Sequence, residues 1–478
     1  MKTNHLNSLD QFQGTLLIPV TETSPQNLLP TEFHGVSVPS RVFFGKKDTH
    51  YVVEKYESLH VFVGIGKDSD YKSLRTIFRR LAAKQKELFQ KQTALVLPES
   101  LSKTQIEAIL SGLYWGTYDL GHFKKTDGHP LAAPDFTLQL FSKKDQSMVA
   151  QRAFKIAAAQ LQTLHLVDSP PNVATPKYLS DWAKSAGAQF GFSVTVLDRK
   201  ECQKQKIDAF LAVGKGSVNE PQFIIMEYSP DKIIDKTKHI GLVGKGITFD
   251  TGGLNIKVAG MYHMKSDMAG GAAVLGAMQL IADLKLPVKV TAIVPACESA
   301  VDANSFLPSD VIGSYAGHSI EIIDTDAEGR LILADGLSYL IKNYKPDTIV
   351  DLATLTGSAV GTFGYECAAL FTNNVQMAQK MQQAGDAIGE RSWPLPLWDA
   401  YKPDIDSDIA DVKNWSGKPV AGAITAAKFL EYFTEGHTAW AHLDIAGVAF
   451  GDDEFAKSKH ATAFGVQLLT TFIENYTL

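Results

Sequence analysis

The run VKVTAIVP, residues 288–295, is continuous and rich in β-branched side chains. A run of this kind suits a strand covered on both faces, as in a parallel sheet. Working outward, IGLVG (240–244), SIEIID (319–324) and TIVDLATL (348–355) have the same character. Helical patterns lie between them at 269–284 and 330–343. Strand-like runs alternating with helices predict an α/β domain with a mostly parallel central sheet flanked by helices.

Upstream of this region, QSMVAQRAFKIAAAQLQTLHL (146–166) carries a long helical pattern without Gly or Pro, and DSPPNVATP (168–176) breaks it. Before that, LHVFVGIG (59–66) and TALVLP (93–98) read as buried strands, and residues 71–90 as a helix with a solvated, basic face. The expected layout is a small N-terminal α/β domain (1–145), a linker helix (146–166) and a larger catalytic domain (167–478). A chain of 478 residues is too long for one ordinary core, in keeping with that division.

Charge and cysteine usage narrow the function. The 46 basic and 52 acidic residues give a formal charge of −6, with no basic block, so nucleic-acid binding has little electrostatic support. Three scattered cysteines, Cys202, Cys297 and Cys367, fit a reducing cytoplasm better than a disulfide framework. The N-terminal residues show no signal-peptide pattern, and the weakly polar run 268–282 is too short to span a membrane, so no membrane association is expected.

Chemistry concentrates in two segments. In IIDTDAEGRL (322–331), Asp324, Asp326 and Glu328 stand at alternate positions beside Arg330, between the apolar ends of a strand and a helix. In GKGITFDTGGLNIKVAGMYHMKSDMAGGAA (244–273), Lys245 follows a strand, where ligand groups emerge in α/β sheets. Asp250, two glycines, Lys257 and Asp267 come after it. Taken singly, Asp267 reads as a helix N-cap, Asp326 and Glu328 as first-turn acids that suit a helix dipole, and the lysines as solvated. Taken together, Asp250, Asp267, Asp326 and Glu328 form a carboxylate set without His or Cys. Such a set suits hard or borderline divalent cations, and two cations balance four carboxylates better than one. HExxH, GxSxG, CxxC and a phosphate-binding Walker loop are absent.

These segments resemble the leucyl aminopeptidase (cytosol aminopeptidase) family of dinuclear metallopeptidases. DTDAEGRL (324–331) is similar to that family's NTDAEGRL, and residues 244–257 match GKGxTFDxGGxxIK. Residues 264–273 are close to MKxDMxGAA, and DLATLTGS (351–358) and WAHLDIAG (440–447) also look like family segments. The resemblance covers residues 167–478, and is weaker before them, where YWGTYDLGHFKK (114–125) carries it. Two departures stand out. Asp324 replaces the usual Asn, and the spacer between Lys257 and Asp267 is one residue short.

The resemblance implies an aminopeptidase that removes N-terminal leucine and other, mainly apolar, residues. A hydroxide bridging two divalent metals (Zn²⁺ or Mn²⁺, with Mg²⁺ as an option) would attack the first peptide carbonyl. One metal would be held by Lys245, Asp250, Asp267 and Glu328, the more exchangeable one by Asp250, Asp326 and Glu328. Lys257 would stabilise the developing oxyanion, and Arg330 would hold a bicarbonate ion. Met264, Thr354, Gly357, Ala446 and Ala449 would line the pocket for the first side chain, although Ala446 and Ala449 also read as plain packing space. The implied partners are peptides with a free N-terminus and five further copies of the chain in a homohexamer. The other reading is a DNA-binding or regulatory protein on the same scaffold.

Overall fold

A computed structural model describes residues 1–10, 12–23, 31–55, 57–125, 128–234 and 237–477. The chain separates into two compact units, 1–161 with 387–389, and 162–386 with 390–478. The division falls within the helix Ser147–Asp168, which the unbroken 146–166 pattern anticipates.

The first unit is α/β. Among the described residues its main sheet runs in the order Lys2–Leu6, Thr137–Phe141, Gln92–Val96, Thr15–Thr21, Ser58–Gly66, Thr49–Lys55. Neighbours are parallel except for the antiparallel edge strand Thr49–Lys55. The helix Tyr71–Lys84 starts at an Asp70 N-cap and buries Leu74, Ile77, Phe78 and Leu81 at helical spacing, leaving its basic residues on the other side.

The second unit is built on β1 (Ser193–Leu197), β2 (Gln222–Tyr228), β3 (His239–Gly244), β4 (Gly246–Asp250), β5 (Lys289–Ser299), β6 (Thr348–Ala353), β7 (Ala368–Thr372), β8 (Ser392–Pro394) and β9 (Trp440–Asp444). The order is β8-β7-β9-β6-β3-β5-β2-β1, with β4 on β5. The centre, β9-β6-β3-β5, is parallel, and antiparallel pairings lie outside it. All of β6 and β9 is buried, and the polar groups they carry are paired inside, as Asp351 of β6 is with His442 of β9 (2.6 Å). The helix α1 (Ala269–Asp283) is buried from Ala269 to Ala282, and apart from Gln279 that stretch is apolar. The helix α2 (Gly329–Tyr344) buries twelve consecutive residues, and the short α3 (Gly357–Phe363) follows β6.

One expectation fails. SIEIID does not enter the central sheet. Only Ile320–Glu321 is a strand, in a small separate sheet between Val311–Ile312 and Val412–Lys413. Ile320 and Ile322 are fully buried in the core of the unit, but Glu321 between them is half-buried. That alternation marks a one-sided strand and not a fully covered one. Past it the chain turns at 325–326, so the three acids do not line one extended face.

From β3 the chain reaches β5 on one side, and from β5 it crosses back to β6 on the other. The carboxyl ends at this reversal are where an open parallel sheet leaves a crevice for ligands. Lys245, the loop after Asp250, and Thr354 all leave the sheet there.

Candidate active site

Each predicted ligand sits where an element ends. Lys245 lies between β3 and β4, and its amide donates to the Leu352 carbonyl (3.0 Å), which fixes it over the sheet edge. Asp250 ends β4. Asp267 sits between a short 3-10 turn and α1, and Glu328 immediately precedes α2. Neither of those two caps a helix, since the residues at the starts of α1 and α2 make no side-chain cap bond. The reading of Asp267 as a helix cap therefore fails, and Glu328, though it stands at the start of α2, makes no cap bond; both carboxylates bind Lys245 instead.

Two lysines hold the cluster together. Lys245 Nζ lies 2.9 Å from Asp267 Oδ1, 3.0 Å from Glu328 Oε1 and 3.0 Å from the Thr354 carbonyl. Lys257 Nζ lies 2.7 Å from Asp250 Oδ2 and 2.5 Å from Asp326 Oδ1. The shortened spacer therefore does not keep Lys257 out of the cluster. One oxygen each from Asp250, Asp326 and Glu328 lie within 4.8 Å of one another.

Burial makes this arrangement electrostatically tense. Lys245, Asp250, Asp267 and Glu328 are all buried. Burial, with the charge of Asp250, pushes the Glu328 carboxyl up to about 8. Burial pushes Asp267 up to about 7 against the pull of Lys245, and Asp326 is raised by burial and Asp250. Burial opposes the charge on Lys245, yet Asp267, Glu328 and Asp250 together hold its pKa above the ordinary lysine value. Buried acids at such a density persist only with compensating positive charge.

Two buried carboxylate oxygens, Asp267 Oδ2 and Glu328 Oε2, have no hydrogen-bond partner. Buried acceptors are almost always satisfied, so two orphans in one cluster mark the place of a missing positive group. An all-oxygen donor set with one amine fits divalent cations. Arg330 presents a parallel case on the positive side. It is buried, its Nη1 donates to the Asn414 carbonyl (2.8 Å), and its Nε has no acceptor. Burial lowers its pKa to about 10 against the charges of Glu328, Asp324 and Asp444.

Asp324, the odd residue of the motif, is not among the three clustered oxygens. Its Oδ1 accepts from the Asp326 amide (2.9 Å), closing a local turn that presents Asp326. Asparagine offers the same acceptor, so the replacement leaves the turn intact. The added charge favours the protonated form of Arg330.

Sequence reasoning missed the residues that hold these loops in place. Thr325 Oγ1 donates to the Gly252 carbonyl (2.7 Å), and its amide donates to Asn255 Oδ1 (3.0 Å), joining the Asp326 loop to the Asp250 loop. Gly252 has φ +86, and a Cβ there would meet Asp326 Oδ1 at 2.7 Å, so this close approach requires glycine. Asn414 is fully buried and accepts from the Ile323 amide (2.8 Å) while donating to the Asp324 carbonyl (2.6 Å). A hydroxyl between two acids was a readable sign for Thr325. A lone asparagine some ninety positions away gave none.

The expected pocket residues fall in several places. Thr354 touches the cluster directly, its hydroxyl donating to Asp267 Oδ1 (2.8 Å). Met264 is half-buried, and its carbonyl accepts from the Asp267 amide (3.1 Å). Gly357 is exposed at the start of α3, Ala446 is half-buried just past β9, and Ala449 is buried.

Comparison with known proteins places the chain in a family. The sequence profile of the cytosol aminopeptidase family, catalytic domain, matches residues 162–470. A probable cytosol aminopeptidase of Chloroherpeton thalassium is 40% identical over 438 residues, covering 87% of this chain and 86% of the relative. Another of that description, from Syntrophotalea carbinolica, is 37% identical over 484 residues, covering 95% and 94%. A third, from Chlorobium phaeobacteroides, is 36% identical over 468 residues, covering 93% and 91%. The chain belongs to the cytosol aminopeptidase family of metallopeptidases and is a peptide hydrolase, an aminopeptidase.

Proposed function

We propose that the protein removes N-terminal leucine and other, mainly apolar, residues from peptides, using two divalent cations and a bicarbonate ion. The orphaned oxygens of Asp267 and Glu328 carry this reading, because they are buried acceptors aimed into a carboxylate cluster with nothing to accept from. Lys245, giving up its proton to become a neutral amine, would hold one cation with Asp250, Asp267 and Glu328, and Asp250, Asp326 and Glu328 would hold the other. Zn²⁺ and Mn²⁺ suit this donor set, with Mg²⁺ as the harder option. When bound, the pair supplies Lewis acidity for polarising the scissile carbonyl and activating water.

The chain's own groups do the rest. Lys257 reaches the cluster from its exposed side and, freed from Asp250 and Asp326, stabilises charge developing on the carbonyl oxygen. Arg330, with Nε unpaired, would hold a bicarbonate ion, which would supply a general base for the attacking water. Met264, Thr354, Gly357, Ala446 and Ala449 wall the pocket for the first side chain. We place the protein in the cytoplasm, where its free thiols stay reduced. Among the described residues no helix is long and apolar enough to cross a membrane.

Metal-stripped protein should not release chromophore from leucyl anilide, and added Mn²⁺ or Zn²⁺ should restore release. Metal-replete protein inactive on every amino-acid amide or anilide would overturn this reading. We further propose a homohexamer. Sedimentation at micromolar concentration should give a species of six chains, and a stable monomer would refute it.

A further inference from the structure

One buried carboxylate near the cluster, whose charge also favours protonated Arg330, has no ligand role in the chemistry above. We propose that Asp444 is a positioning residue that holds the loop after β6 against both the metal ligands and the pocket wall, so that it sets metal retention and side-chain preference together. The inference rests on the aminopeptidase reading.

Asp444 is the last residue of β9, opposite Ala353 at the end of β6, and it is 1% exposed. Among the described residues no lysine, arginine or histidine forms an ion pair with it. A carboxylate so placed stays buried only if hydrogen bonds satisfy it. All its bonds go to the two loops on the site side. Oδ1 accepts from the Leu355 amide (3.1 Å) and from the Ala446 amide (3.1 Å). Oδ2 accepts from the Thr356 hydroxyl (2.6 Å).

Both ends of this connection reach the site. Thr354 precedes the tethered pair, and its carbonyl and hydroxyl bind Lys245 Nζ and Asp267 Oδ1. Thr356 Oγ1 also accepts from the Ala359 amide (3.0 Å), capping α3, which begins at Gly357. One side chain thus bonds Ala446 directly and holds Leu355 and Thr356, the chain neighbours of Thr354 and Gly357, so it acts on three of the five pocket positions and, through Thr354, on two ligands. Groups that orient metal ligands in this way govern affinity as well as geometry.

The test uses the full chain with Asp444→Asn, Thr356→Val and Thr356→Ser. Mn²⁺ binding to stripped protein is measured by titration calorimetry, and kcat/KM on leucyl against alanyl anilide. For Asp444→Asn and Thr356→Val, one of two Mn²⁺ sites should weaken about 10- to 100-fold while the other stays unchanged. The leucyl-to-alanyl ratio should fall about tenfold. Thr356→Ser, which keeps the hydroxyl, should restore both. Unchanged Mn²⁺ affinities and an unchanged ratio in both variants, even with lowered thermal stability, would overturn the proposal and leave Asp444 a structural clasp. A wild-type chain that binds no Mn²⁺ would overturn the metal reading itself, and is told apart because the parent fails.

Discussion

Glu328→Gln is expected to reduce kcat on leucyl anilide at least about 1,000-fold, equivalent to roughly 4 kcal/mol of transition-state stabilisation. Glu328 is proposed, like Asp250, to serve both cations, so its substitution takes charge from both at once. The amide has the same shape and fills the same buried space. Its effect on the metal-free fold should be small, because burial already disfavours the carboxylate charge and holds this group's pKa up to about 8. Lys245 loses one partner but keeps Asp267 and the Thr354 carbonyl. Thermal unfolding separates the two effects. Wild-type protein should gain about 2.7 kcal/mol in Mn²⁺ at a hundred times its dissociation constant, and the variant should gain little. Retained turnover, or an undiminished metal-induced shift, would rule out Glu328 as a ligand.

The parts of this molecule legible in its sequence are those governed by local pattern. Continuous apolar runs announced β3, β5 and β6, because a strand covered on both faces has no polar side to display. The Gly- and Ala-rich run 269–284 announced α1, though only the structure explains why it carries no polar stripe. SIEIID misled because Ile320 and Ile322 are core residues of a loop that pairs in a separate small sheet. Composition and spacing suggested a carboxylate cluster but not its pairing, in which each lysine bridges two acids. Lysine in a metal site came from the family resemblance alone, since an ammonium has no lone pair to offer. Thr325, Asn414 and Asp444 act through hydrogen bonds across 70 to 91 positions, and no local pattern encodes such distances. Loop-to-loop bonds of this kind depend on the sheet having brought the strand ends together first.

Gly329→Ala should lower kcat/KM about 100-fold by displacing a ligand it does not touch through its own chemistry. Gly329 opens α2, and a Cβ there would lie 2.5 Å from Lys245 Nζ and Cε and 2.8 Å from Cδ. Real side chains do not approach so closely. The helical backbone accepts alanine, which favours a helix by roughly 1 kcal/mol over glycine. The clash therefore falls on the flexible end of Lys245, which must leave Asp267, Glu328 and the Thr354 carbonyl. Two buried acids then lose their shared cation, so the metal-free protein should be destabilised despite the better helix former. Lys245→Ala isolates the cause. In that background the obstructing atoms are gone, and adding Gly329→Ala should be neutral or slightly stabilising. A double-mutant cycle on unfolding free energy should give a coupling within the range of about 0.5–3 kcal/mol typical of contacting residues. Additive effects would show that glycine at 329 serves the helix and not the lysine beneath it.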